Sequence, residues 1–241
     1  MNAPTVVRHA DSASLATDVA TRFLELVADL QAAGRIPQVV LTGGGIADQI
    51  HREIARLADD SGVDWGAVSF WWGDERFVPA DSDDRNAKQA RDAFLSAVGA
   101  TRIHEMPASD GGLDLDAAAV AYASEVREDP DGSAFDLVML GMGPDGHVAS
   151  LFPGRDEIEI SDAIAVPVRN SPKPPPERIS LSREALCRCD RMWFLVNDGI
   201  DGPKADAATR ALAGDQTLPA ARVHALGTPG GPPGATTWFL S

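Results

Sequence analysis

The residues best suited to chemistry lie in the segment GMGPDGHVASLFPG, residues 141–154, which follows an apolar run. A neutral imidazole exchanges protons near physiological pH, so His147 is a candidate general base that takes a proton from water and later returns it. Asp145, Glu75 or another carboxylate would orient its ring. The alternative is a histidine that only binds loop backbone.

A second group of charged residues, in the segment GDERFVP at 73–79, directly follows another apolar run. Adjacent Asp74 and Glu75 are candidates for binding hydroxyl groups or for orienting a base. Arg76 is a candidate for gripping a carboxylate or a phosphate through two parallel N–H groups. The alternative is a solvated loop with a local salt bridge.

Three consecutive glycines, Gly43, Gly44 and Gly45, separate an apolar run from a helical pattern. Glycine lets the backbone approach a ligand, and the N-terminus of the following helix offers N–H groups to an anion. This suits a phosphate group, although the lysine of a P-loop and the dinucleotide-binding spacing are both missing. A tight strand–helix turn without a ligand is equally consistent.

Five basic residues are expected in loops that a common fold could bring together. Because the formal net charge of the chain is −15, a local basic cluster would attract anions against an acidic background. We expect one or two of the five to be bystanders. The five are Arg76, Arg85, Lys173, Arg178 and Lys204.

The elements that must position these residues are short apolar runs alternating with helical patterns. This alternation predicts an α/β fold, with a doubly wound, mainly parallel sheet and helices on both faces. In such sheets ligands bind beyond the carboxyl ends of the strands, where the glycines, the charges and His147 fall. No linker divides the chain, so we expect one domain over residues 1–241. Strands are predicted at 38–42, 67–72, 135–140, 191–196 and 236–240, and helices at 15–30, 46–57, 87–98, 115–126 and 205–212.

Composition excludes several classes of partner. A sequence pI near 4.6 argues against a nucleic acid or an anionic membrane, because both need a basic face. No apolar run approaches the ~20 residues of a membrane span, and the N-terminus lacks an apolar leader core, so we expect a cytoplasmic protein. Cys187 and Cys189 are expected to be reduced thiols. We expect no metal and no other cofactor, no serine nucleophile, and a monomer.

Five segments, LTGGG, WWGDERFVP, GMGPDGHVASLFPG, SPKPPPERISLS and GPK, occur in an order that resembles 6-phosphogluconolactonases over roughly residues 39–240. The resemblance implies a single α/β domain similar to the sugar-phosphate isomerases. It implies hydrolysis of 6-phospho-D-glucono-1,5-lactone to 6-phosphogluconate in the oxidative pentose phosphate pathway. It also implies that His147 is the base and that Lys173 and Arg178 help to hold the phosphate.

Two positions depart from the family pattern. Gly45 stands where the family often has serine, and Arg85 precedes Asn86 where the family often reads Ser-Asn. Arg85 either replaces a polar contact with a charged one or points outward, and Gly45 removes a hydroxyl contact to phosphate.

The residues and the resemblance lead to one mechanistic hypothesis. His147 deprotonates water as it attacks the lactone carbonyl, and it then protonates the departing ring oxygen. Arg76 and loop N–H groups stabilise the oxyanion or fix the sugar. Two alternatives stay open: a sugar-phosphate isomerase or deaminase of the same fold, which would read DEY and FNEPG in the corresponding segments, and a non-catalytic sugar-phosphate-binding regulator.

Overall fold

Two β-sheets organise the protein, whose computed structural model describes residues 3–129, 134–197, 202–228 and 231–241. Seven strands form the larger sheet in the order β1-β10-β9-β6-β2-β3-β5, and every adjacent pair is parallel. This confirms the predicted, mainly parallel sheet. The strands are β1 (Thr5–Arg8), β2 (Gln38–Leu41), β3 (Ser69–Trp72), β4 (Asp74–Arg76), β5 (Arg102–Ile103), β6 (Phe135–Gly141), β7 (Ala165–Val168), β8 (Arg178–Leu181), β9 (Cys189–Val196) and β10 (Ala235–Leu240).

The helices begin and end largely where the apolar periodicity placed them. The side chain of Asp11 accepts the backbone N–H of Ser14 and thereby caps the first helix. The helix predicted at 87–98 is shorter, because a π-helical turn, Arg91–Leu95, follows its first five residues. The helices are α1 (Ser12–Ala32), α2 (Gly45–Leu57), α3 (Asn86–Ala90), α4 (Leu115–Glu128), α5 (Arg183–Cys187), α6 (Pro203–Leu212) and α7 (Pro219–Arg222).

Helices cover both faces of the large sheet. Neighbouring residues of a strand point to opposite faces of the sheet, so Phe70 and Trp71 of β3 contact the helices on opposite faces. The Phe70 ring lies 5.7 Å from Phe94, which in turn packs against His51 of α2. The Trp71 ring lies 6.1 Å from Tyr122 of α4. Burial on both faces explains why these strands are continuously apolar.

A smaller antiparallel sheet, in the order β4-β8-β7, flanks the carboxyl edge of the large one. In its register Asp74 pairs with Ser180 and Arg76 pairs with Arg178. The prediction of a charged loop after β3 is therefore wrong at 74–76, where the chain continues as a buried strand. Local periodicity could not show this, because the partner strand lies about a hundred residues further along the chain. β1 and β5 were also not predicted, whereas the strand-like runs that flank the proline-rich segment 170–178 correspond to β7 and β8.

Buried polar groups at the amino edge of the large sheet satisfy one another. The indole N–H of Trp71 donates to Oε1 of Gln38 at 2.7 Å, and the backbone N–H of Gln38 donates to Asp136 at 2.8 Å. The guanidinium of Arg35 lies 2.5 Å from the other oxygen of Asp136. These contacts join the starts of β2 and β6 to β3 and to Arg35.

Two further observations bear on the sequence predictions. Cys187 and Cys189 are both free and buried. Among the described residues, no helix is both long enough and apolar enough to cross a membrane.

Candidate active site

A cavity of about 400 Å³ lies at the carboxyl ends of β2, β6 and β9, where sequence reasoning placed the ligand. Its walls come from the glycine turn after β2, the 141–149 loop after β6, the small sheet, and the start of α6. Ten of the residues singled out from the sequence line it: Gly43, Gly44, Gly45, Asp74, Arg76, Asn86, His147, Lys173, Arg178 and Lys204.

His147 is held by the loop that carries it. Its Nδ1 lies 2.5 Å from Oδ1 of Asp145, so the nearer of the two proposed carboxylates orients the ring. A Cβ added at Gly143 would lie 2.1 Å from the imidazole, so only glycine lets the backbone pass this close. Asp145 does not line the cavity itself, and it reaches the site through the histidine.

Burial and hydrogen bonding set the charge state of this pair in opposite directions. Burial lowers the pKa of His147 below its ordinary value, against the hydrogen bond and the negative charge of Asp145. Burial alone would raise the pKa of Asp145, but its hydrogen bond to His147 and the charge of Lys173 lower it. At neutral pH Asp145 is therefore an ionised acceptor, Nδ1 carries the proton, and Nε2 keeps its lone pair.

A buried carboxylate forms another wall of the cavity. Asp74 is 6% exposed, and its Oδ2 accepts the hydroxyl of Ser150 at 2.6 Å. Ser150 is fully buried, and this bond occupies its hydroxyl. Nη1 of Arg178 lies 3.9 Å from the same Asp74 oxygen.

Asn86 lies between the glycine turn at 43–45 and the small sheet. Its Nδ2 donates to the backbone carbonyl of Asp74 at 2.9 Å, which fixes the orientation of the amide. Its Oδ1 is buried and has no partner among the described residues. A Cβ at Gly43 would lie 1.9 Å from that oxygen, so the turn accepts only glycine at this position. The arrangement leaves a buried hydrogen-bond acceptor in the cavity wall.

Four cationic side chains line the cavity, but they are not equivalent. Arg178 donates from Nε and Nη2 to the backbone carbonyls of residues 173–175, at 3.0–3.2 Å. Arg76 donates from Nη1 to the carbonyl of Asp84 at 2.5 Å. Burial lowers the pKa of Lys173, as do the nearby charges of Lys204 and Arg178. Repulsion among these cations favours occupation of the cavity by an anion.

Arg76 and Arg178 lie in strands and Lys204 lies in the first turn of α6, so the expectation that all five basic residues sit in loops is wrong. Antiparallel pairing between β4 and β8 carries the two arginines to the cavity. The segment 198–201, part of the glycine-containing stretch after β9, lies outside the described residues.

Two predicted binding residues, Glu75 and Arg85, lie behind the cavity wall. The carboxylate of Glu75 is 1% exposed and accepts three backbone N–H groups, from residues 76, 86 and 87. Burial raises the pKa of Glu75, against the charge of Arg85 and those hydrogen bonds. Nη2 of Arg85 donates to the carbonyl of Met106 at 2.7 Å, so Arg85 neither contacts the cavity nor points outward. Both residues support the site from the interior.

Sequence reasoning missed several polar lining residues. Thr42 accepts the backbone N–H of Gly141 at 3.3 Å and so joins two of the loops. Asn197 directly follows β9, and the strand-end rule that selected the other residues would also have found it. Gln49 lies in the second turn of α2, where nothing in the sequence separates it from an exposed helical residue.

A parallel sheet with a basic cavity and a carboxylate-bound histidine at its carboxyl edge is typical of α/β proteins that act on anionic small molecules. The chain belongs to the family described as glucosamine-6-phosphate isomerases/6-phosphogluconolactonase, whose model matches residues 10–238. The resemblance found from the motifs is therefore confirmed.

Two curated relatives cover nearly the whole chain. A 6-phosphogluconolactonase of Mycobacterium tuberculosis is 40% identical over 95% of this chain and 92% of its own. A 6-phosphogluconolactonase of Streptomyces coelicolor is 38% identical over 98% and 92%, respectively. A crystal structure of 6-phosphogluconolactonase from Thermotoga maritima superposes with a TM-score of 0.84, at 27% identity over 98% and 99% of the two chains. These comparisons agree with the predicted fold class.

Proposed function

We propose that this protein hydrolyses 6-phospho-D-glucono-1,5-lactone to 6-phosphogluconate. The observation that carries the proposal is a neutral, carboxylate-bound histidine in the same cavity as four cationic side chains. The first supplies a base for a water molecule, and the second supplies attraction for a phosphate. The names of the curated relatives point to the same reaction.

His147 acts as the general base in this proposal. Its Nε2 takes a proton from water as the water oxygen bonds to the lactone carbonyl carbon. The bond between that carbon and the ring oxygen then breaks, and the imidazolium returns the proton to the ring oxygen. Asp145 keeps Nδ1 protonated and stabilises the imidazolium between the two steps, because its carboxylate lies against that nitrogen.

The oxyanion requires donors, and Arg76 is the side chain we assign to it. One Nη1 bond to the carbonyl of Asp84 anchors the guanidinium at one nitrogen, and its other N–H groups remain to be offered. We assign backbone N–H groups of the 141–149 loop as the other donors to the oxyanion. A fixed donor costs little reorganisation as negative charge develops on the carbonyl oxygen.

The phosphate is assigned to the end of the cavity where two helices begin. The N-terminus of α2, at Gly45, and the N-terminus of α6, beside Lys204, both line the cavity. N–H groups at a helix N-terminus and lysine ammonium groups both favour a phosphate. Lys173 adds a third source of positive charge. Binding the phosphate there holds the lactone ring in place for attack.

Sugar hydroxyl groups are assigned to Asp74 and Asn86. Both side chains line the cavity and carry hydrogen-bond acceptors: the carboxylate of Asp74, and Oδ1 of Asn86, which is buried and has no partner among the described residues. A polyhydroxy lactone offers donors to both acceptors, whereas an aliphatic lactone leaves Oδ1 of Asn86 without a partner, which is costly in a buried site.

A coupled assay tests the proposal. The lactone is generated in place, and 6-phosphogluconate is detected by its dehydrogenase, with and without a chelator and beside a reaction that contains no enzyme. The reaction without enzyme is essential because the lactone opens spontaneously. We expect acceleration by the protein that the chelator leaves unchanged. A rate no higher than the uncatalysed background would reject the proposal, and amino-sugar phosphates would be the next substrates.

A further inference from the structure

The segment ASLFPG, which follows the histidine, contributes a buried aromatic ring to the site. Phe152 is 2% exposed, and its ring centroid lies 4.7 Å from that of His147, with 37° between the ring planes. The Phe152 side chain does not line the cavity, so it contacts the histidine from behind. The reaction proposed above gives this residue no role.

The chain folds back sharply to make this contact. Ala149 adopts a φ of 49°, which is uncommon for a residue with a side chain, and the N–H of Leu151 donates to the carbonyl of Val148 at 2.9 Å. This turn returns Phe152 to His147, five residues back along the chain. Left-handed backbone outside glycine costs free energy and persists where the surrounding structure enforces it.

The same ring also contacts a cation of the site. Cζ of Arg178 lies 5.9 Å from the centroid of the Phe152 ring, within the range of a cation–π interaction. Arg178 in turn holds the backbone carbonyls of Lys173 and of the prolines that follow it. Phe152 thus joins the histidine to the loop that presents Lys173.

One hydrogen bond does not fix the plane of an imidazole ring. The bond from Nδ1 to Asp145 anchors one atom of His147 and leaves rotation about that anchor. A ring packed at 4.7 Å restricts this rotation and excludes water from the covered side. Water excluded from an ionisable group disfavours the charged form.

We propose that Phe152 is a positioning residue for His147: its ring holds the imidazole in the orientation needed to activate water and keeps solvent off its inner side. The proposal rests on the assigned role of His147 as the base. The residue itself touches neither water nor substrate and acts through the histidine.

Three charged groups influence the protonation of His147, and a fourth, Arg178 of β8, lies across the Phe152 ring. Asp145, from the same loop, and Asp74, from β4, raise its pKa, whereas Lys173, from the proline-rich loop, lowers it. Substitution of Phe152 leaves these residues in the chain, so a change in titration reports the loss of the ring.

The test compares Phe152→Leu with Phe23→Leu. Phe23 is also fully buried and packs on Trp65 of the core, so it controls for the loss of a buried ring. We measure thermal unfolding, kcat, KM and the pH profile of kcat/KM. Separately, NMR follows the titration of His147, whose signal among five histidines is assigned from a His147→Gln sample.

Three results are expected of Phe152→Leu: a kcat lower by about 10- to 100-fold, a KM within about threefold of wild type, and a His147 titration shifted upward. Phe23→Leu should lose a similar amount of thermal stability and keep the wild-type titration. If Phe152→Leu does not fold, Phe152→Met takes its place, because its unbranched, flexible side chain adapts better to an irregular space and also lacks a ring.

The proposal is overturned if His147 titrates in the Phe152 variant as it does in wild type, or if Phe23→Leu lowers kcat equally. The titration needs no substrate, so it decides the role of Phe152 even if the wild-type protein does not accelerate lactone hydrolysis. The coupled assay therefore tests the proposed function, and the titration of His147 separately tests the role of Phe152.

Discussion

Two histidines with matching aromatic contacts, the buried His51 and the partly buried His147, serve the molecule in different ways. His51, inside α2, lies 4.8 Å from Phe94 at 33°, and His147 lies 4.7 Å from Phe152 at 37°. Burial lowers the pKa of both, to about 4 for His51. Nε2 of His51 is buried without a partner among the described residues, whereas His147 has a carboxylate on one nitrogen and the cavity beside it.

The difference shows what turns a buried histidine into a base. Burial and an aromatic neighbour keep an imidazole neutral, and both histidines have these. A carboxylate that sets the tautomer and a space that admits water are what His147 adds. A lowered pKa therefore marks a candidate site only together with a partner and access.

The largest expected effect is the loss of the base. His147→Ala should lower kcat by about 10²- to 10⁴-fold, because general base catalysis contributes that much. The matched variant His51→Leu should keep kcat within about twofold, since its ring does not line the cavity. Both are measured in the coupled lactone assay. A His147→Ala enzyme with nearly full activity would remove this residue from the mechanism.

His51 should instead control stability against pH. Its pKa is lowered from 6.5 to about 4 in the folded protein, so the unfolded chain binds more protons between these values. The resulting stability is fully present above pH 6.5 and is lost as the pH falls towards 4, by about 3 kcal/mol.

The measurement is urea unfolding at several pH values for wild type and His51→Leu. The difference in the free energy of unfolding between the two proteins should change across this window, in favour of the variant at low pH. Parallel pH dependences for the two proteins would show that His51 does not titrate in this way.

The next largest effect is expected of Asp145→Asn, which removes the carboxylate that His147 has and His51 lacks. The amide oxygen can still accept from Nδ1, but the charge that raises the pKa of His147 is gone. We expect kcat to fall by about 10- to 100-fold, less than the loss of the base itself. The acidic limb of kcat/KM should move to lower pH, opposite to the shift expected for Phe152→Leu. An unmoved limb would contradict the pairing.

The smallest effect is expected from the acidic neighbour of His51. Asp48 is the charged group that raises the pKa of His51, and it lies on the solvent side of α2. Asp48→Asn should change the free energy of unfolding at neutral pH by less than about 1 kcal/mol. It should leave the pH profile of kcat/KM unchanged. A shift as large as that of Asp145→Asn would remove the distinction between the two sites.

Much of the fold could be predicted from periodicity. Five strands of the large sheet and the longer helices follow from apolar residues recurring at strand or helix spacing. β1 and β5, the edge strands, escaped because they are short and partly exposed. β4 escaped for another reason: its sequence is typical of a charged turn, and only its pairing with the distant β8 buries Asp74 and Glu75.

The candidate site was predictable where a strand-end rule applies. Residues directly after parallel strands meet at one edge, which brought together Gly43, Asp74 and His147. Charge alone could not separate the remaining residues that line the cavity from those that lie behind it. Without knowledge of its partners, a charged side chain is expected to face solvent. Arg85 is the example: its bond to Met106 and its position beside Glu75 lie in the interior.

The sequence by itself determined the longer helices, five strands of the large sheet, the edge where the cavity lies and the histidine that stands there. These follow from spacing and from residue type, which are local. The tertiary structure decided which charges face the cavity, which carboxylate orients His147 and which ring supports it. Which charges face the cavity depends on contacts between segments far apart in the chain, such as the pairing of β4 with β8. Asp145 and Phe152 reach His147 within one loop, through a turn at Ala149 that residue type disfavours. Burial, which sets the charge and the pKa of each group, arises only when those segments pack together.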